Sequence, residues 1–175
     1  MRFAKLFWKL KALCNKVNNP LLKRVLIQIY NSLLDLKGSY IGHTSIFKGI
    51  PMFPHGVNSI FITGGANIGS NCVIFQQVTI GSNSLPDSKT NGSPTIGDNC
   101  YIGAGAKIIG NVTIGENVRI GANCVVFTDV PSNSVVVLPP PRVIQKEHEI
   151  DNKYYVVKHG KRGYIDEGEW REDIG

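Results

Sequence analysis

Any chemistry in this chain of 175 residues must come from a small set of side chains. These are four histidines (His43, His55, His148, His159), four cysteines (Cys14, Cys72, Cys100, Cys124) and scattered acids and bases. The cysteines show no CxxC or zinc-ligand spacing. The histidines are too dispersed to give the three or so ligands of an open tetrahedral zinc, so no metal is expected. A neutral imidazole, with an ordinary pKa of about 6.5, can take the proton of a hydroxyl that attacks a thioester. Considered alone, however, a histidine such as His55, which follows Pro54, reads as an ordinary loop residue. Only the elements around it can single it out.

Those elements begin with an uneven charge. The net charge is +6, yet residues 1–37 hold eight Lys and Arg against Asp35 alone, leaving the rest of the chain near neutral. Phe3, Leu6, Phe7, Leu10, Leu13, Cys14 and Val17 recur at spacings of three and four, which predicts an amphipathic helix. Asn18-Asn19-Pro20 ends it, and Leu21 to Leu36 predicts a second helix closing near Gly38. Basicity confined to one short helical stretch argues against nucleic-acid binding. Lysines interrupt the apolar residues too often for a signal peptide or a spanning helix, so a cytoplasmic location is expected. The apolar stripe can pack on the main domain, or residues 1–37 can touch an anionic membrane surface.

Beyond the helices an internal period takes over. Aliphatic residues stand at Ile96, Ile102, Ile108, Ile114, Ile120 and Val126, six apart, and an earlier block repeats the rule at Ile62, Ile68, Ile74 and Ile80. Four positions after an aliphatic comes a small or β-branched residue, among them Ala66, Cys72, Cys100, Ala106 and Cys124, so three of the cysteines read as small buried residues. A period of six fits neither a helix nor a heptad. It fits a short strand followed by a corner, hence a β-solenoid. Asn83 to Pro94 interrupts the register and is rich in Asn, Ser, Pro and Gly, so it predicts an extruded loop.

The segments IGSNCVIFQQVTIGS and PTIGDNCYIGAGAKIIGNVTIGENVRIGANCVVFTDVP resemble the hexapeptide-repeat acyltransferases, in particular the branch holding serine and polysaccharide O-acetyltransferases. The resemblance implies a mainly β fold, a left-handed parallel β-helix with an N-terminal α-helical segment. It also implies a homotrimer with acetyl-CoA between neighbouring subunits. The expected organisation is basic helices over 1–38, the β-helix over 39–144 with its loop at 83–94, and a charged tail over 145–175 forming a hairpin that turns at Gly160 to Gly163.

By the same resemblance, His55 in FPHGVNSIFITGGANIG matches the general base of the family. Gly81, Ser82, Gly103, Ala104 and Ala122 match backbone positions that hold the pantetheine arm, while Arg119, Arg142 and Lys146 are candidates for the CoA phosphates. Gln76 matches the glutamine of the QxVT motif, which is open to contact with the acceptor, contact with the loop, or an outward position. The chain also departs from the family. Ser93 stands where serine acetyltransferases end the loop with a second histidine, and no residue from Leu36 to Pro54 is acidic. The group that orients the base is then a backbone carbonyl, Asn58 or Asp87. VLPPPRVI, Val137 to Ile144, replaces the usual exit sequence of the solenoid. The missing loop histidine and the basic N-terminal segment point to a sugar hydroxyl of a surface polysaccharide or its precursor as the acceptor. The alternatives are serine O-acetylation and an inactive trimeric scaffold.

Overall fold

The computed structural model describes residues 2–174. Two units are distinguished, Met1–Pro139 and Pro140–Gly175.

In the first unit, α1 (Arg2–Lys16) and α2 (Pro20–Asp35) precede a parallel β-helix. Its first coil holds β1 (Tyr40–Ile41) and β2 (Ile46–Phe47), and its second β3 (Phe61–Ile62), β4 (Asn67–Ile68) and β5 (Val73–Ile74). The third holds β6 (Thr79–Gly81), β7 (Thr95–Ile96) and β8 (Tyr101–Ile102), and the fourth β9 (Lys107–Ile109), β10 (Thr113–Ile114) and β11 (Arg119–Ile120). The last holds β12 (Val125–Val126) and β13 (Val135–Val136). Stacking produces three parallel sheets. Sheet one has the order β1-β3-β6-β9-β12, sheet two β2-β4-β7-β10 and sheet three β5-β8-β11-β13.

Period two explains what each short strand buries. The first residue of a strand points outward and the second inward, so Ile41, Ile62, Ile80 and Ile108 stack in one column and Ile68, Ile96 and Ile114 in another, all nearly inaccessible. Each such side chain contributes about 2 kcal/mol of burial. The small residues one corner on, including Ala66, Cys72, Cys100 and Ala106, are buried beside them. The Cys100 thiol donates to the Gly115 carbonyl at 3.1 Å. The corner between sheets two and three needs a left-handed backbone, and Asn71, Asn99, Asn117 and Asn133 supply it with φ of 54 to 60°. Asparagine tolerates that conformation better than most residues. Here it also stacks, with Asn71 Nδ2 donating to Asn99 Oδ1 at 2.8 Å and Asn117 Nδ2 to Asn133 Oδ1 at 3.1 Å.

Register shows where the regular coil is broken. Ile62 pairs with Ile80, and Ile96 with Ile114, eighteen residues apart. Phe47 pairs with Ile68, three residues more, and Ile68 with Ile96, ten more. The ten form the extruded loop, closed by an antiparallel bridge between Asn83 and Gly92. The three fall between Met52, bridged to Val73, and Phe61, paired with Thr79. They make an outward bulge that carries His55.

The helices close the open end of the β-helix. Asn19 Oδ1 accepts from Leu22 N at 3.0 Å and caps α2, while Tyr30, fully buried, stacks on Phe7 and donates its hydroxyl to the Ile41 carbonyl at 2.7 Å. The side of α1 that docks differs from the apolar stripe read in the sequence. Phe7, Lys11 and Cys14 are buried, whereas Leu6 and Leu13 are exposed. The first coil explains the lysine, because the turn between β1 and β2 leaves carbonyls without strand partners. Lys11 Nζ donates to His43 O at 2.9 Å and Ser45 O at 2.5 Å and lies 5.2 Å from the Phe47 ring centre. Burial lowers its pKa to about 8. Among the described residues no helix is long and apolar enough to cross a membrane.

The second unit is an antiparallel meander of β14 (Tyr154–Lys158), β15 (Lys161–Asp166) and β16 (Glu169–Glu172). The expected hairpin turn is displaced. His159 and Gly160 make it, both with positive φ, as a two-residue turn matched to strand twist requires. Gly163 lies instead within β15, where a Cβ would collide with the Trp170 ring at 2.5 Å.

Candidate active site

His55 sits on the three-residue bulge at the corner where sheet three passes to sheet one. Three hydrogen bonds fix the backbone around it. Asn58 Nδ2 donates to the His55 carbonyl at 2.7 Å, and the Ser39 hydroxyl donates to the Val57 carbonyl while accepting from Ile60 N at 3.2 Å. The ring projects into an exposed position, with its edge toward Phe75 at 5.7 Å between centres. Its Nδ1 lies 2.8 Å from Gln76 Oε1. An amide oxygen only accepts, so Nδ1 carries the proton and Nε2 keeps its lone pair, the tautomer a general base needs.

Gln76 occupies the same corner one coil later. Backbone hydrogen bonds continue the column, from Gln77 N to Asn58 O at 3.2 Å, from Gly105 N to Gln76 O at 3.1 Å, and from Asn123 N to Ala104 O at 2.8 Å. One edge therefore carries His55, Gln76, Gly103-Ala104 and Ala122 in succession. Coils about 4.8 Å apart make this edge about 14 Å long. Close approach is built into it, since a Cβ on Gly103 would lie 2.8 Å from Ala122 N and 2.9 Å from Ile120 O.

The other candidates lie elsewhere in the chain. Gly81 and Ser82 belong to the corner at the root of the extruded loop, where the Ser82 hydroxyl bonds Thr63 at 2.7 Å and Ser93 at 2.8 Å. Asp87 is exposed on the loop and makes no hydrogen bond to His55, and Asn58 serves the His55 carbonyl and not the ring. The partner of the ring is thus Gln76, a residue for which the family resemblance left contact with the acceptor, contact with the loop and an outward side chain all open. Arg119 is exposed on sheet three beside Tyr101. Arg142 and Lys146 belong to the second unit. Among the described residues no cluster of three or more His, Cys, Asp or Glu is arranged for a metal.

Residues 93–128 match the family model described as bacterial transferase hexapeptide (six repeats). A serine acetyltransferase of Staphylococcus aureus is 39% identical over 158 residues, covering 77% of this chain and 73% of that protein. The chain belongs to the hexapeptide-repeat acyltransferase family. A serine acetyltransferase of Synechococcus elongatus is 38% identical over 135 residues, covering 70% of this chain and 54% of that protein. The crystal structure of the Neisseria gonorrhoeae serine acetyltransferase in complex with serine superposes with a TM-score of 0.64 at 28% identity, over 78% of this chain and 55% of that one. This chain thus spans about half the length of the Synechococcus and Neisseria proteins. The fold of this hexapeptide-repeat chain is the left-handed parallel β-helix with an N-terminal helical segment.

The same relatives overturn the expected acceptor. A sugar hydroxyl of a surface polysaccharide rests on a missing histidine and a basic N-terminal segment, whereas the relatives at 38 to 39% identity are serine acetyltransferases. Neither sign is specific. Ser93 belongs to a hydroxyl network with Ser82 and Thr63, and Lys11 satisfies carbonyls of the first coil.

Proposed function

We propose that the chain acts in acetyl-CoA-dependent O-acetylation of serine, with His55 as the general base. The observation that carries this reading is the Staphylococcus aureus serine acetyltransferase, 39% identical and matched over 73% of its length. The geometry supports it: Gln76 holds the Nδ1–H, leaving Nε2 to accept the proton of the serine hydroxyl. As the oxygen attacks the thioester carbonyl carbon, the C–S bond breaks and the thiolate leaves. The pantetheine arm follows the edge past Gly103, Ala104 and Ala122, and the Arg119 guanidinium meets phosphate from sheet three. Family habit supports three copies of the chain, with the thioester held between neighbours.

The test is CoA thiol release from acetyl-CoA with and without L-serine. Serine-dependent release by the wild type, falling about 100- to 10,000-fold in His55→Ala while CoA affinity is retained, is expected. Release that ignores serine, or survives the substitution, defeats the assignment.

A further inference from the structure

A cleft of about 480 Å³ opens beside His55, between α1 and the segment before β3. Trp8, Phe53 and Pro54 give it apolar walls, while Lys37, Asn58 and His55 supply polar groups. Among the described residues that line it there is no aspartate or glutamate. A lysine therefore shares the cleft with the base and with no acid. Lys37 stands there because the catalytic edge continues past His55. Ser59 N donates to Lys37 O at 3.0 Å, as Gln77 N does to Asn58 O and Gly105 N to Gln76 O, so Lys37, Asn58, Gln76, Ala104 and Ala122 hold one position on successive levels. Each is followed by a residue with left-handed backbone, namely Gly38, Ser59, Gln77, Gly105 and Asn123. Lys37 is exposed, and its backbone lies two levels, about 10 Å, from Gln76 along the edge.

We propose that Lys37 anchors the acceptor by its carboxylate while no charge in the cleft answers its amine, so that the acceptors are β-hydroxy carboxylates as a class, L-serine among them. The proposal rests on the reading of His55 as base and of its edge as the track of the thioester. Direction carries it. The carrier arm runs along the edge from Ala122 past Gly103-Ala104 to His55, which leaves the cleft, beyond the ring, to the acceptor. There the Lys37 ammonium, on its flexible four-carbon stem, meets a carboxylate while the hydroxyl of the same molecule lies against Nε2. An α-ammonium finds no counter-charge there. Asn58 offers a neutral amide whose Nδ2 already serves the His55 carbonyl, and a second cation beside Lys37 is repelled. The bond changes are those of acetyl transfer: the acceptor oxygen bonds the carbonyl carbon, its proton goes to Nε2, the C–S bond breaks, and the thiolate takes the proton back from the imidazolium.

The test measures thiol release from acetyl-CoA with L-serine, with 3-hydroxypropanoate, which lacks the amine, and with L-serinamide, which lacks the carboxylate charge. Expected is a kcat/KM for 3-hydroxypropanoate within about tenfold of that for serine, and one for serinamide lower by about 10- to 100-fold, as the loss of a charge-assisted hydrogen bond requires. Lys37→Gln should bring the serine-to-serinamide ratio close to one, through the KM of serine, and Lys37→Arg should restore it. That ratio is read within one preparation, so partial loss of folded protein does not mimic the result. Equal use of serine and serinamide, rejection of 3-hydroxypropanoate, or a ratio unmoved in Lys37→Gln overturns the anchor and leaves serine acetylation intact. Release with 3-hydroxypropanoate but not with serine does the reverse, since the anchor stands and the serine reading falls. If none of the three accelerates release, the serine reading falls and equilibrium binding of 3-hydroxypropanoate decides the anchor. A loss of about tenfold in Lys37→Gln then supports it, and equal affinities overturn it.

Discussion

Gln76 is a neutral partner for an imidazole where a carboxylate would do more. Its amide oxygen fixes ring and tautomer but brings no full negative charge to steady the imidazolium formed during turnover. Gln76→Glu adds that charge at the same reach, and an opposite charge favours the protonated ring. The acidic limb of the kcat/KM profile should therefore move to higher pH in Gln76→Glu, and Gln76→Ala should lose rate through a disordered ring with no such displacement. Comparing the two pH profiles separates a positioning role from a merely structural one. The sequence picks out His55 through the residues around it, but not its hydrogen-bond partner. Their contact joins residues twenty-one positions apart, across the three-residue slip of the hexad register that makes the bulge, so no count along the chain could have paired them.

At the scale of elements the asparagine column and α1 make separate claims. Asn99 both holds a left-handed backbone, φ 57°, and accepts from Asn71. Asn99→Ala should cost about 1 to 2 kcal/mol in chemical denaturation, from the conformational penalty together with the lost hydrogen bond. For α1 the readout is pH. The native Lys11 ammonium is lowered from 10.5 to about 8 by burial, so between those values the unfolded chain binds the proton that the native state has released. Stability then rises with pH across that window. Melting of the wild type measured against Lys11→Met should show a gain between about pH 8 and 10 that the variant lacks. The hexads are legible because inward positions recur six apart, and the helices because three-four spacing is strong. Lys11 escapes because its partners, His43 O and Ser45 O, are backbone atoms that no side-chain pattern marks.

For the whole molecule, residues 140–153 contain no regular secondary structure and are exposed throughout. Brief trypsin treatment should cut first at Arg142 or Lys146, with mass spectrometry recovering a fragment that begins at the N-terminus and retains the β-helix. Early cuts within residues 60–130 would contradict the division into two units. The meander beyond is only partly legible, because turns of the type found at His159-Gly160 and Glu167-Gly168 are set by the sign of backbone angles and not by the presence of a glycine such as Gly163. The eighteen-residue repeat gives the catalytic edge the character of a ruler with fixed graduations. Since Ile96 pairs with Ile114 eighteen residues on, joining Gly97 directly to Glu116 would remove one complete rung while keeping the inward side chains that follow in phase. The imidazole and Ala122 would then stand about 4.8 Å closer, turning the reach of the bound carrier into a quantity that can be set in whole steps.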